Sequence, residues 1–268
     1  MSVPFTKAHG AGNDFLLTWT TDAPRTGLPE LARAICDRHT GVGADGWMLV
    51  KGAKAGEGCD ASIRLFNSDG SEPELSGNGT RCAAAFLLDS GVASGTELRI
   101  ATGAGIKHLR VIERDGLKFQ FEMNMGRPTY QEANLRLALE LAGGAREVTE
   151  LCVGNPQCAV FVDDFDFDWR AMGAEIEAHP HFPNRTNVSF VRRVDAHTLD
   201  VRFFERGAGE TMSSGTGSTG AVAAAILRGA AESPVRVLTP AGPIDLRWEG
   251  DIYLTGPAVI TAGGEFYY

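Results

Sequence analysis

Two tetrapeptides in this chain carry the residue types of an anion site. They are Ser76-Gly77-Asn78-Gly79 and, 138 residues later, Ser214-Gly215-Thr216-Gly217. Each opens a run of small residues, 80–86 after the first and 218–225 after the second. A Gly-rich turn that delivers backbone N–H groups at a helix start binds anions, because the first donors have no intrahelical partner and the dipole is positive there. Two such turns facing each other would hold one small carboxylate between two reacting side chains. That arrangement suits an enzyme acting on both faces of one carbon. Helix packing alone accounts for the alanines at 83–85 and 221–225. It does not account for the paired glycines, which disfavour a helix unless its backbone must approach something closely.

The elements that position these turns are themselves duplicated. Ile63-Arg64-Leu65-Phe66-Asn67 precedes the first turn and Val201-Arg202-Phe203-Phe204-Glu205 the second, each followed by an eight-residue loop, 68–75 and 206–213. Alternating side chains read as a strand, so each copy is strand, loop, turn and small-residue helix, and duplication implies two similar half-domains. Thirty-three glycines and twelve prolines between short β-rich runs predict a mainly stranded protein with few helices. Strands are expected at 5–9, 15–18, 47–50, 61–66, 97–101, 109–113 and 118–125, then at 148–153, 159–162, 187–194, 198–205, 235–239, 244–248 and 251–255. Helices are expected at 28–38, 76–90, 167–178 and 214–228, the second and fourth stopped by Gly91 and Gly229. The division is placed at 1–125 for the N-terminal half and 126–257 for the C-terminal half. The last strand, about 258–268, returns to the first half after a Gly256-Pro257 break. A cleft between the halves is the expected ligand site.

Composition limits the classes of function. At 268 residues the chain is long enough for two modest cores. A formal charge of −9 argues against a nucleic-acid partner, since phosphate recognition needs a basic surface. The first residues lack a signal peptide's apolar run and no stretch is long enough to span a bilayer, so no membrane partner and a cytoplasmic location are expected. Five scattered cysteines (Cys36, Cys59, Cys82, Cys152 and Cys158) fit reduced, mostly buried thiols without metal-ligand spacing. His179 and His181 flank Pro180 in an expected loop and make a weak zinc motif; no metal is expected.

Six ordered segments resemble the diaminopimelate epimerase family: His9-Gly10-Ala11-Gly12-Asn13-Asp14-Phe15, Gly41-Val42-Gly43-Ala44-Asp45-Gly46, Asn67-Ser68-Asp69-Gly70-Ser71-Glu72, Gly77-Asn78-Gly79-Thr80-Arg81-Cys82, Gly154-Asn155-Pro156 and Glu205-Arg206-Gly207-Ala208-Gly209-Glu210-Thr211. The resemblance runs from residue 5 to about 260. It implies an α/β (α+β) fold of two pseudo-symmetric half-domains, each a curled mixed or antiparallel β-sheet around a central helix. It also implies a racemisation with no cofactor, pyridoxal phosphate included, in which one thiolate removes the α-proton and a thiol on the opposite face returns one. By the same resemblance Gly77, Asn78, Gly215 and Thr216 grip the reacting carboxylate. Asn13, Asn67, Asn155, Asn187 and Arg206 hold the distal amino acid end, and Glu205 contacts substrate and organises an acid/base residue. The implied substrate is a small amino dicarboxylate, LL-diaminopimelate converted to the meso form for lysine and cell-wall synthesis. For each Asn the alternative is a turn residue that caps its own backbone; for Asn67, before Asp69-Gly70, the two readings are about even and the family match favours the binding role. Oligomeric state is left open, a homodimer included.

The chain departs from the family at the residues that matter most. The family's two reactive cysteines fall at Ser76 and Ser214, and Gln157 stands where the family commonly has a His that poises a thiol. A thiol titrates near ~8.5 and a helix start lowers it, whereas a serine hydroxyl lies far higher and needs a dedicated base. Three readings stay open. One is natural divergence, with Ser76, Ser214 and Glu205 catalytic and Gln157 orienting. Another is a substrate-holding relative impaired by Cys→Ser replacement, natural or engineered, although Gln157 weighs against engineering. The third is an isomerase of another amino or hydroxy acid.

Overall fold

The computed structural model describes residues 1–54 and 56–268, and the chain resolves into two compact units: Met1–Met123 with Gly256–Tyr268, and Asn124–Thr255. The first unit contains β1 (Ser2–Gly10), β2 (Asn13–Trp19), α1 (Leu28–Cys36), β3 (Gly46–Gly52), β4 (Ala61–Asn67), α2 (Gly77–Asp89), β5 (Glu97–Thr102), β6 (Gly105–Asp115) and most of β7 (Lys118–Gly126). The second contains β8 (Thr129–Tyr130), β9 (Leu137–Leu141), β10 (Gly144–Cys152), β11 (Pro156–Phe161), α3 (Trp169–Glu177), β12 (Asn187–Asp195), β13 (Thr198–Glu205), β14 (Gly209–Thr211), α4 (Gly215–Leu227), β15 (Val235–Thr239), β16 (Gly242–Glu249) and the start of β17 (Asp251–Tyr267).

The duplicated sequence produces duplicated pairing. In the first unit β1–β2 is antiparallel, β2–β3 parallel, β3–β4 antiparallel, β4–β5 parallel, and β5–β6 and β6–β7 antiparallel. In the second, β10–β11 is antiparallel, β11–β12 parallel, β12–β13 antiparallel, β13–β15 parallel, and β15–β16 and β16–β17 antiparallel. Each half is therefore the same mixed sheet. The first curls into a closed ring, because β17 pairs both β1 and β7.

The central helices are a consequence of composition. Residues 77–88 of α2 and 215–225 of α4 are all buried, as expected for helices that, Arg81 apart, are apolar or small on every face. Helix α2 packs on β1, β2, β4 and β5, and α4 on β10 to β13, β15 and β16. The amphipathic helices cover the outer faces. Leu28, Leu31, Ala32, Ile35 and Cys36 of α1 pack with Trp47, Leu49 and Phe66. Trp169 and Ile176 of α3 pack with Val160, Val188 and Phe190.

Several boundaries differ from the sequence expectation for physical reasons. Ser76 and Ser214 cap their helices from outside rather than beginning them. Helix α1 stops at Cys36, because Asp37 is extended and its carboxylate accepts from the N–H groups of His39 and Thr40 at 2.8 and 2.6 Å. Strands β8, β9 and β14 were not anticipated. The chain does not break at Gly256-Pro257; β17 runs straight through it. Pro257 lies between the residues that pair with β16 (251–255) and those that pair with β1 (259–267), so its missing N–H interrupts neither ladder.

Candidate functional site

The two helix starts are built alike. Ser76 is extended (φ −127, ψ 119) and its Oγ accepts from Gly79 N at 3.1 Å. Ser214 is extended (φ −135, ψ 122) and its Oγ accepts from Gly217 N at 3.0 Å. Each hydroxyl satisfies the third of the helix's orphan donors. The N–H groups ahead of it, those of Gly77 and Asn78 in α2 and of Gly215 and Thr216 in α4, belong to the first turn, the part of a helix suited to an anion. The second glycine of each turn is closely packed, against a ring in α4 and a flexible side chain in α2. A Cβ at Gly217 would stand 2.7 Å from Phe203 Cδ1, and one at Gly79 2.7 Å from Met48 Cε.

Around α2, Asn78 Nδ2 donates to Asn13 Oδ1 at 3.2 Å, and Asn13 Nδ2 donates to Asp45 Oδ2 at 2.6 Å. Asp45 is anchored in turn by Arg38, which also binds Asp14. Burial pushes the Asp14 carboxyl up, but hydrogen bonds and charge from Arg38 and Lys7 outweigh it and hold it below the ordinary carboxylate value. Asn67, at the end of β4, bonds within its own turn: its Nδ2 donates to Ser71 Oγ at 3.0 Å and its carbonyl accepts from Gly70 N. Ser76 lies on the wall of a cavity of about 510 Å³ lined also by Arg64, Glu72, Thr102 and Gly103.

Around α4, Ser214 Oγ donates to Glu205 Oε2 at 2.8 Å, and Thr211 Oγ1 donates to Glu205 Oε1 at 2.5 Å. One carboxylate thus faces two hydroxyls, with Ser214 between an acceptor and the N-terminal donors of α4. Asn155 Nδ2 donates to Thr216 Oγ1 at 3.3 Å, and Gln157 Nε2 to Asn155 Oδ1 at 2.7 Å. Gln157 is buried against Gly220 with its Oε1 unpartnered. Asn187 Oδ1 accepts from Arg206 N at 2.9 Å while its Nδ2 donates to Pro156 O. The Arg206 guanidinium donates to Asn184 O at 3.2 Å.

One difference between the halves bears on the serines. Glu205 ends β13 where Asn67 ends β4, so Ser214 has a carboxylate partner at a place where the first half offers a neutral amide. Three of the five cysteines are poorly placed for this chemistry. Cys36, Cys82 and Cys158 are buried, and burial pushes the thiols of Cys36 and Cys82 up to about 12. Among the described residues no group of His, Cys, Asp and Glu could hold a metal ion, and no helix is long and apolar enough to cross a membrane.

Sequence reasoning did not assign roles to Thr211, Asp45 or Arg81, although all three lie in the quoted motifs. Arg81 Nη2 donates to Asn78 Oδ1 at 2.5 Å. A lone charge in a helix of Ala, Leu and Phe was the available signal.

Solved structures place this arrangement in a class of fold. A probable proline racemase from Agrobacterium radiobacter K84 superimposes with a TM-score of 0.76 at 16% identity, covering 98% of this chain and 92% of that one. A PhzF-family phenazine biosynthesis protein from Bacillus anthracis superimposes with a TM-score of 0.72 at 16% identity, covering 100% of both. The chain shares the two-half fold of these proteins. The sequence profile described as Diaminopimelate epimerase matches residues 5–131 and 151–261. Diaminopimelate epimerases of Aromatoleum aromaticum and Pelotomaculum thermopropionicum are 41% and 38% identical, over 99% and 98% of this chain and 99% of each relative. The chain belongs to the diaminopimelate epimerase family.

Proposed function

We propose that the protein is an isomerase that interconverts LL- and meso-diaminopimelate by moving a proton at Cα. The observation that carries this reading is the Ser214–Glu205 hydrogen bond of 2.8 Å at the start of α4, within a site whose twin stands at the start of α2. Ser76 and Ser214 take the two acid/base positions. Ser214 passes its hydroxyl proton to Glu205 as its oxygen takes the Cα proton, Ser76 gives its hydroxyl proton to the opposite face, and exchange with water carries the Glu205 proton back to Ser76. The carboxylate lies on the N–H groups of Gly77, Asn78, Gly215 and Thr216, where helix-start donors stabilise the enediolate charge that grows during proton removal. Asn13, Asn67, Asn155, Asn187 and Arg206 hold the distal end, Arg206 with a fork suited to a second carboxylate. Glu205 draws the proton of Ser214 and so makes its oxygen the better acceptor, while Gln157 orients Asn155.

One observation favours a second reading, a protein that holds the amino acid without turning it over. Both serine oxygens already accept a backbone N–H as helix caps, and a hydroxyl lies far above a thiol's ~8.5 in acidity. Proton NMR of LL-diaminopimelate with this protein in D₂O separates the two. Loss of the Cα–H signal together with the meso isomer supports the isomerase. Binding by calorimetry without exchange supports the holder. Neither binding nor exchange rejects diaminopimelate and points to another acid.

A further inference from the structure

We propose that Arg81 is a positioning residue of the α2 turn, which fixes the Asn78 amide and places an uncompensated positive charge behind the bound carboxylate. The inference rests on reading that turn as a carboxylate cradle.

Arg81 is fully buried, one turn inside a helix whose other residues are uncharged up to Asp89. Its Nε donates to Pro257 O at 3.1 Å and its Nη2 to Asn78 Oδ1 at 2.5 Å, while Nη1 has no partner. The guanidinium occupies a slot that two glycines leave open. A Cβ at Gly256 would stand 3.0 Å from Cζ, and one at Gly10 3.3 Å from Nη2 and from the Asn78 Cα. A site shaped this closely around one side chain, and extending to Asn78, is built for both together.

The chemistry of the donors settles the direction of the chain. A guanidinium only donates, so the Asn78 atom facing it is the acceptor Oδ1, and Nδ2 is left to point the other way. Asn78 Nδ2 donates to Asn13 Oδ1 at 3.2 Å, and Asn13 Nδ2 donates to the Asp45 carboxylate at 2.6 Å. A donor-only group at one end and a carboxylate at the other leave a single orientation for both amides. Asn78, whose backbone N–H belongs to the cradle, is thereby locked by a residue that sequence reading did not assign to the site.

The charge has a second effect. Among the described residues no carboxylate pairs with Arg81, and burial lowers its pKa only to about 10, so it stays protonated at neutral pH. A buried cation without a counterion is costly. Here it has the same sign as the helix start one turn away, so the two act together on an anion there. The charge that the fold leaves unbalanced is balanced by the carboxylate of the ligand.

The test compares the full-length parent with Arg81→Met and Arg81→Lys. Three readouts are taken at neutral pH: LL-diaminopimelate affinity by calorimetry, the difference in Tm between sodium acetate and sodium chloride at equal ionic strength, and the side-chain amide resonances of Asn13 and Asn78. In Arg81→Met, affinity is expected to fall tenfold or more and the acetate advantage to vanish. In Arg81→Lys, which keeps the charge and loses the fork, the acetate advantage survives. Both amides shift in both variants. A folded Arg81→Met that binds within twofold of the parent overturns the proposal, as do amide resonances that stay in place in either variant. Should Arg81→Met not fold, Arg81→Lys decides, and loss of its acetate advantage overturns the proposal. A parent that binds no diaminopimelate refutes the substrate reading alone; the acetate difference and the amide resonances then judge Arg81.

Discussion

At the scale of single residues, Ser76 and Ser214, which stand where the family resemblance implies reactive cysteines, suit the fold because serine is a good helix cap. Each Oγ accepts the third backbone N–H of its helix, which a thiol does poorly. Serine also lacks a group that ionises near ~8.5. Converting both, Ser76→Cys with Ser214→Cys, is therefore expected to raise Cα–H exchange of diaminopimelate at pH 8 by about 10² or more, the usual scale of acid/base catalysis, at a small cost in Tm from the weakened caps. An exchange rate no higher than the parent's would mean that Gln157 and its neighbours no longer serve thiol chemistry. Asp14 gives a second prediction. Despite its burial, Arg38 and Lys7 hold its folded pKa below the unfolded ~3.9. A depressed carboxyl contributes stability above the unfolded pKa and loses it as pH falls through the folded one. Asp14→Asn should thus lower Tm at neutral pH, with the gap to the parent closing below about pH 4; a gap that stays constant down to pH 2 would refute the ion-pair account.

At the scale of elements, the site depends on how closely each central helix approaches the strand beside it. Gly217→Ala drives a Cβ to 2.7 Å from the Phe203 ring, which is fully buried and rigid. Gly79→Ala meets Met48 Cε at the same distance, but that atom ends a flexible side chain. Overpacking of this kind costs about 1–3 kcal/mol, and Gly217→Ala is expected at the upper end and Gly79→Ala at the lower. Denaturant unfolding of the two variants checks the order, and equal losses would contradict it. These helices were legible in the sequence because the pattern occurs twice, with small residues behind each Ser-Gly-x-Gly. Glu205 is singled out by its motif and its carboxylate accepts from Ser214 Oγ, whereas Gln157, expected to orient an acid/base residue, donates to Asn155. Asp45 and Arg81 were not legible, because their roles are contacts across the chain: Asn13 meets Asp45 across 32 residues, and Arg81 reaches Pro257 across 176. The return of the last strand to the first half was legible, but its continuity through residues 256 and 257 was not. Gly256-Pro257 is a local turn signal, overridden by pairing with the first strand of the chain.

At the scale of the whole molecule, the two units differ in how they are strung. The second, Asn124–Thr255, is one continuous stretch with its own core around Trp169, Ile176 and Phe190. The first needs both ends of the chain, since Gly256–Tyr268 supplies the part of β17 that pairs with β1 from Ser2 to His9. That strand also pairs β7 and carries the Pro257 carbonyl that holds Arg81. At about 1 kcal/mol net for each ladder hydrogen bond, losing this pairing removes a sum comparable to the ~5–15 kcal/mol that stabilises a domain. A chain truncated after Thr255 is therefore expected to lose the first unit and keep the second. Hydrogen exchange would show fast-exchanging amides throughout 1–123, the α2 turn included, while β11 to β13 and α4 stay protected. Protection of α2 equal to the parent's would mean that β1 to β7 hold their shape without the returning strand. Loss of protection in both units together would mean that the second half does not fold by itself, whatever its continuity in sequence.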